Sequence, residues 1–304
     1  MNESIVFTGA TGYLASYLIP ELIKNNYKIY GVDVNESKIK YTHTDNYVLI
    51  NSDFNGAKQK LAQLMKNNEK ISTVIHCAGQ SDANESNNNP VEAYKKNVNL
   101  TLEVLEYCRE HEIHKFYFPS TGLVYGEYRN QKLLNEESEI RPLNFYAWTK
   151  YIAEQTIKSY CMNFKLNATI MRFNNIIGYH LKTGTILSDI YEQINDNKKN
   201  IIVKDGNPIR DFIHVEDAVS AFIYLMKIKK KSNFEIYNVS NGNGLSILEL
   251  THIICASNNL PPSMVFSQKS KNKNPLELVL DNKKLKRTGW LPKYSIEDCI
   301  KQLN

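Results

Sequence analysis

The sequence predicts an α/β protein: an open, doubly wound parallel sheet over most of the chain, followed by a smaller C-terminal α/β region. Three observations carry that expectation. Short β-rich runs alternate with longer helical patterns through the first half, and such alternation makes βαβ units whose parallel sheet is covered on both faces. The first run passes through a glycine turn directly into a helical pattern. The chain has 304 residues, 42% hydrophobic and 23% charged, enough for one large domain or two modest ones with a sizeable core.

Strands are expected at 4–8, 28–32, 47–51, 73–77, 115–119 and 168–173, with helices at 13–25, 57–67, 91–110 and 146–160 between them. Crossovers between parallel strands are expected to be right-handed. The second half is less regular, with a helix near 215–227, a strand near 235–239 and helices near 247–257 and 295–302. Turn-rich breaks at 84–90, 205–208, 241–244 and 269–275 read as loops. The domain boundary is placed at 174, so that residues 1–174 form the sheet domain, a helix near 215–228 returns to it, and 175–304 form the smaller region.

Bulk chemistry excludes several classes of function. The net charge is only +5, and the lysine run at 227–231 reads as a solvated helix end. Nucleic-acid binding needs a basic stripe interleaved with exposed aromatics, which the sequence lacks. A mild positive bias still favours a diphosphate ligand. Cys77, Cys108, Cys161, Cys255 and Cys299 are odd in number, far apart and without a CxxC pair, against a disulfide framework or a metal site. A reducing cytoplasm is the expected compartment. No secretory leader is read at the N-terminus, and no apolar run approaches the ~20 residues that span a bilayer.

The glycine turn is the first chemical motif. Strand 4–8 runs into Gly9-Ala10-Thr11-Gly12-Tyr13-Leu14-Ala15. Gly9 permits the tight turn, Gly12 lets backbone approach a pyrophosphate, and Ala15 lets the helix pack on the sheet. The helix N-terminus then presents N–H groups and a positive dipole end to phosphates. At the end of the second strand, Asp33 is placed to accept the ribose hydroxyls of a dinucleotide and to repel a 2′-phosphate, which favours NAD over NADP. The nearest following cation is Lys38. Asp53, with Phe54 beside it, is placed near the adenine edge. The alternative for Asp33 is a turn cap.

The second motif is Tyr146 and Lys150, four residues apart on a predicted helix and therefore on one face. A free phenol has a pKa of ~10. Positive charge from Lys150 and an oxidised nicotinamide would favour the phenolate, leaving Tyr146 able to exchange a proton with a sugar hydroxyl. Strand 115–119 delivers Ser120-Thr121-Gly122 to the C-terminal edge of the sheet, where ligands bind in such folds. Thr121 is the expected orienting hydroxyl.

These residues closely resemble the extended short-chain dehydrogenase/reductase family, the nucleotide-sugar epimerases and dehydratases. The resemblance runs in order along nearly the whole chain. It takes in the glycine turn, His76-Cys77-Ala78-Gly79, Asn97-Val98, Ser120-Thr121-Gly122-Leu123-Val124-Tyr125-Gly126 and the Tyr146–Lys150 pair. It continues through Arg172-Phe173-Asn174-Asn175-Ile176-Ile177-Gly178, Arg210-Asp211-Phe212-Ile213-His214-Val215, Tyr237-Asn238-Val239 and Thr288-Gly289-Trp290-Leu291-Pro292.

The resemblance implies a Rossmann-type sheet, Thr121, Tyr146 and Lys150 as catalytic residues, and a nucleotide-diphosphate sugar as substrate. It places NAD against Gly9, Thr11, Gly12, Tyr13, Leu14, Asp33, Asp53, Phe54, the backbone of Ala78 and Gly79, Asn97, Ser120, Tyr146 and Lys150. Asn175 and Arg210 are implied diphosphate partners, guanidinium matching phosphate oxygens as a fork. The other reading of Arg210 is an ion pair with Asp211 or Asp217. His180 is implied near the cleft, and Lys271 or Lys273 stands where relatives carry a phosphate-facing Arg. A homodimer through helices 91–110 and 146–160 is also implied.

Departures from the family pattern narrow the reaction. Dehydratases usually carry Asp-Glu after the catalytic Thr, decarboxylating relatives a Glu in the second place, and epimerising reductases a Cys. Gly122 and Leu123 occupy those places, and neither titrates. C4 epimerisation and 4-keto reduction remain. A redox-silent NAD sensor is the third reading, opposed by the intact Tyr146 and Lys150.

Overall fold

The structure, a computed structural model, describes residues 3–36, 45–66, 70–127, 133–179, 185–268 and 276–303. The chain divides into two compact units made of interleaved segments. The first comprises 1–124, 144–172 and 222–237; the second comprises 125–143, 173–221 and 238–304.

The first unit is built on a seven-stranded sheet. Its strands are β1 (Ser4–Thr8), β2 (Lys28–Asp33), β3 (Tyr47–Asn51), β4 (Ile71–His76), β5 (Lys115–Thr121), β6 (Asn167–Phe173) and, at one edge, Phe234–Val239. From the other edge the order is β3-β2-β1-β4-β5-β6 and then Phe234–Val239. The pairs β1/β2, β1/β4, β2/β3 and β4/β5 are parallel. All five residues of β1 are buried, as expected of a parallel strand covered on both faces. Val6, Val32, Ile50, Val74, Phe116 and Ile170 pack with Leu61, Leu105 and Ile157 from the helices. Burying each such side chain contributes about 1.5–3 kcal/mol.

The helices of this unit are α1 (Tyr13–Lys24), α2 (Phe54–Lys66), α3 (Ala83–Asn88), α4 (Pro90–Tyr94), α5 (Leu100–Glu110) and α6 (Phe145–Asn163). Two expectations are corrected here. The break at 84–90 is largely helical, because Asp82 accepts from Glu85 N at 2.9 Å and caps α3, and Pro90 starts α4 from a first-turn position that needs no donor. The single helix expected at 91–110 is interrupted at Lys95–Asn99 by a wider π-type turn, a feature common at functional sites.

The second unit is organised around the strand Ile209–His214. Asn175–Ile177 and Glu277–Leu278 pair with it in parallel, and Gly244–Ser246 antiparallel. Ile201–Val203 pairs with Val265–Ser267. Most of these short strands, and the helix Ile186–Asn195, go beyond what the sequence predicts. The break at 269–275 lies outside the described residues. Several motifs singled out in the sequence act as framework here. Asn238 is fully buried, accepts from Tyr125 Oη at 2.7 Å and donates to Leu134 O and Asp281 O. The Asp217 carboxylate accepts from Lys293 N and Tyr294 N, and Trp290 Nε1 donates to Ser220.

Candidate active site

The turn between β1 and α1 has the shape its glycines require. Gly9 sits at φ +74°, and its N–H donates to Val32 O at 2.9 Å. Gly12 is the N-cap of the twelve-residue helix α1, is exposed, and no side chain caps the helix there. Thr11 N and Asn35 N each donate to the Asp33 carboxylate at 3.0 Å. An uncapped helix N-terminus, open backbone at Gly12 and a carboxylate at the next strand tip are the donor set a dinucleotide needs. The residues present therefore fit NAD, with Asp33 also serving as the turn cap.

The other expected cofactor residues are distributed less simply. Tyr13 stacks edge-on against Tyr17, and Leu14 is half-buried. Asp53 accepts from Gly56 N at 2.7 Å and so starts α2 earlier than expected. The Phe54 side chain lies in the core, edge-on to Tyr107. Ala78 N donates to Thr8 Oγ1 at 3.3 Å, and Gly79 takes φ +152° where a Cβ would lie 2.5 Å from Asn97 Oδ1. Asn97 is buried; it accepts from Gln80 N at 2.8 Å and donates to Gln80 O at 3.0 Å and Thr149 Oγ1 at 2.8 Å. Its amide thus ties the loop after β4 to α6. The Ser120 hydroxyl donates to the buried Glu154 carboxylate.

Thr121, Tyr146 and Lys150 come together in the first unit. Thr121 is the last residue of β5; its hydroxyl accepts from Leu123 N at 3.2 Å and lies near enough to the Tyr146 phenol to favour its ionised form. Asn144 accepts from Ala147 N at 2.8 Å and caps α6, which sets Tyr146 and Lys150 one turn apart. Lys150 Nζ lies 3.8 Å from the centre of the Phe118 ring. Burial pulls Lys150 down to about 8, opposed by Cys77 and Glu154. Burial pushes Tyr146 up to about 12, opposed by the Thr121 hydroxyl. In the protein alone desolvation outweighs this neighbour; the acidification expected of the phenol needs the nicotinamide charge as well as Lys150.

In the second unit Arg210 is half-buried and donates to Ile209 O at 2.8 Å and Leu276 O at 3.5 Å. Burial draws its guanidinium down to about 10. Neither Asp211 nor Asp217 pairs with it among the described residues, because both carboxylates accept backbone N–H groups instead. Asn175 is exposed and donates to Asp211 O at 3.1 Å. Lys38, His180, Lys271 and Lys273 lie outside the described residues. The sequence reading passes over Glu154, although its spacing eight residues beyond Tyr146 places it on the same helical stripe. No helix among the described residues is long and apolar enough to cross a membrane.

A glycine turn fitted to a dinucleotide, and a Thr-Tyr-Lys cluster at the C-terminal end of a parallel sheet, define a short-chain dehydrogenase/reductase type of enzyme. The chain belongs to the NAD dependent epimerase/dehydratase family, whose model matches residues 5–240. Its cofactor is NAD, as the family description states. Over 303 residues the chain is 29% identical to a Methanocaldococcus jannaschii protein provisionally described as UDP-glucose 4-epimerase, covering 98% of this chain and 96% of that one. Over 314 residues it is 28% identical to the Bos taurus dTDP-D-glucose 4,6-dehydratase, covering 99% and 87%. A UDP-glucose 4-epimerase from Thermotoga maritima, solved with UDP-glucose, superposes with a TM-score of 0.88 at 24% identity, covering 98% and 96%. At that identity the likeness establishes the fold.

Proposed function

We propose that the chain interconverts nucleotide sugars at C4 through a transient 4-keto sugar. The observation that carries this is the Thr121–Tyr146–Lys150 cluster beside Gly122 and Leu123, where no side chain can take a proton to eliminate water. NAD, when bound, supplies the hydride acceptor and donor. The Tyr146 phenol oxygen takes the proton of the sugar 4-hydroxyl and returns it to the other epimer. Thr121 orients that oxygen through its hydroxyl. Lys150 contributes positive charge on the same helical face. Asn97 and Ser120 shape the site from behind, one by fixing Gln80 and the other by bonding Glu154. Arg210 and Asn175 take the diphosphate, leaving the sugar free to turn over.

The test is incubation with UDP- and GDP-sugars without added NADH. Epimer is expected to accumulate with no net change in cofactor redox state. Strict NADH consumption with a 4-keto sugar nucleotide would replace this reading with a reductase.

We also propose that a second copy covers the helices of the first unit. Val91, Tyr94, Leu102 and Trp148 are 69%, 39%, 44% and 47% exposed, a concentration of apolar side chains suited to an interface. Sedimentation equilibrium is expected to give twice the mass of one chain, and Trp148→Asp with Val91→Asp to give a single chain. A monomeric wild type would refute the assignment.

A further inference from the structure

Glu154 lies one turn beyond Lys150 and two beyond Tyr146, so the three side chains line one stripe of α6. Its carboxylate is buried and held from two other elements. Ser120 Oγ donates to Oε1 from the end of β5. The Arg172 guanidinium reaches from β6, Nε to Oε1 at 3.1 Å and Nη2 to Oε2 at 2.6 Å. Lys150 Nζ stands over the Phe118 ring. Phe118 and Ser120 are two residues apart on β5 and so on one face of it. Ammonium and carboxylate therefore sit over neighbouring positions of the same strand face. A buried ion pair is a poor source of stability, because desolvating both charges offsets much of their attraction. Its place directly behind Lys150 points to a different use.

We propose that Glu154 is a positioning residue: its buried carboxylate, fixed by Arg172 and Ser120, holds the Lys150 ammonium charged and in place on the face it shares with Tyr146. The inference rests on the assignment of Tyr146 and Lys150 made above. The groups around Lys150 are Tyr146 and Glu154 on its own helix, His76 and Cys77 at the end of β4, Phe118 and Ser120 on β5, and Arg172 on β6 through Glu154.

His76 is neutral, held down to about 3 by burial and by Lys150. Its tautomer is fixed as well: Thr101 Oγ1 donates to Asn97 O at 2.6 Å, so it accepts from His76 Nε2, and Nδ1 accepts from Thr8 Oγ1 at 2.6 Å. The Cys77 thiol, pushed up to about 12 by burial, is un-ionised where Lys150 titrates. In the protein alone Tyr146 is un-ionised there too. Glu154 is left as the standing negative charge in this set.

The test is a pH titration of the Lys150 Nζ signal by NMR in [15N]lysine-labelled full-length protein, assigned with Lys150→Met. Glu154→Gln is expected to lower the Lys150 midpoint by about one pH unit, a tenfold loss of proton affinity, and to move the basic limb of the turnover profile down with it. Should the single variant fail to fold, Ser120→Ala, which removes one of the two groups that fix the carboxylate and leaves both charges in place, is titrated instead and is expected to shift the Lys150 midpoint in the wild-type background where a purely packing role would not. A midpoint that stays in place, with turnover lowered evenly at every pH, would reduce Glu154 to a packing role and overturn the proposal. A midpoint that falls while the turnover limb stays would uphold the charge coupling and overturn the part assigned to Lys150 in the reaction.

Discussion

Tyr146→Phe is expected to lower kcat on the true nucleotide sugar by about 10²–10⁴-fold, the usual worth of a positioned proton donor and acceptor. The substitution removes one oxygen and little else. The Thr121 hydroxyl is its neighbour, so the loss to folding is at most that of one hydrogen bond, about 0.5–1.5 kcal/mol. Thermal unfolding and NAD content are expected to stay near wild type while turnover collapses. The electrostatics sharpen the expectation. Burial holds Tyr146 up at about 12 and Lys150 down at about 8, so on raising the pH the protein alone loses the ammonium before it gains the phenolate. The ordering needed for catalysis requires positive charge beyond Lys150, which the oxidised nicotinamide ring carries. Turnover is accordingly expected to depend on pH differently from NAD binding, rising as the phenol ionises and falling as Lys150 is neutralised. Undiminished kcat in Tyr146→Phe would end the assignment of the phenol as the proton-transfer group.

The parts of the fold legible in the sequence are those fixed by short-range chemistry. The β1–α1 turn is local: Gly9, Gly12 and the apolar runs beside them determine it within a dozen residues. The Tyr146–Lys150 face follows from helical spacing alone. Glu154 follows the same spacing, but its meaning does not, because Arg172 and Ser120 reach it from two different strands. The helix α3 hides in an Asn-rich stretch whose composition favours turns; the Asp82 cap and packing in the first unit decide otherwise. Strands such as Asn175–Ile177, Ile201–Val203 and Glu277–Leu278 are two or three residues long, too short for a period-two pattern to register. The direction in which Tyr146 shifts also lay beyond the sequence. Charge neighbours can be read from spacing, whereas burial is a property of the assembled unit.

Gly9→Ala and Gly12→Val are expected to fail in different ways, and the contrast tests the cofactor turn. Gly9 lies at φ +74°, and a Cβ there would stand 2.6 Å from Ala78 N and 2.7 Å from Cys77 C. Those are backbone atoms at the end of a fully packed sheet, so no side chain can rotate away. Left-handed backbone costs a non-glycine residue about 1–3 kcal/mol, and the overlap adds to it by forcing the start of the loop after β4 to move. Gly9→Ala is therefore expected to lower Tm by roughly 5–10 °C and to weaken NAD binding together with stability. Gly12 is exposed with ordinary backbone geometry, and its Cβ would approach only Gly9 O, at 3.2 Å. A valine there costs the fold less than an alanine at position 9, and it stands where pyrophosphate must meet the helix N-terminus. Gly12→Val is thus expected to lose less Tm than Gly9→Ala and to lose NAD affinity by at least about tenfold, as a blocked phosphate contact worth 1.4 kcal/mol or more requires. Differential scanning calorimetry and fluorescence titration with NAD measure the two effects separately, without any sugar nucleotide. Unchanged NAD affinity in Gly12→Val would remove the pyrophosphate from this turn.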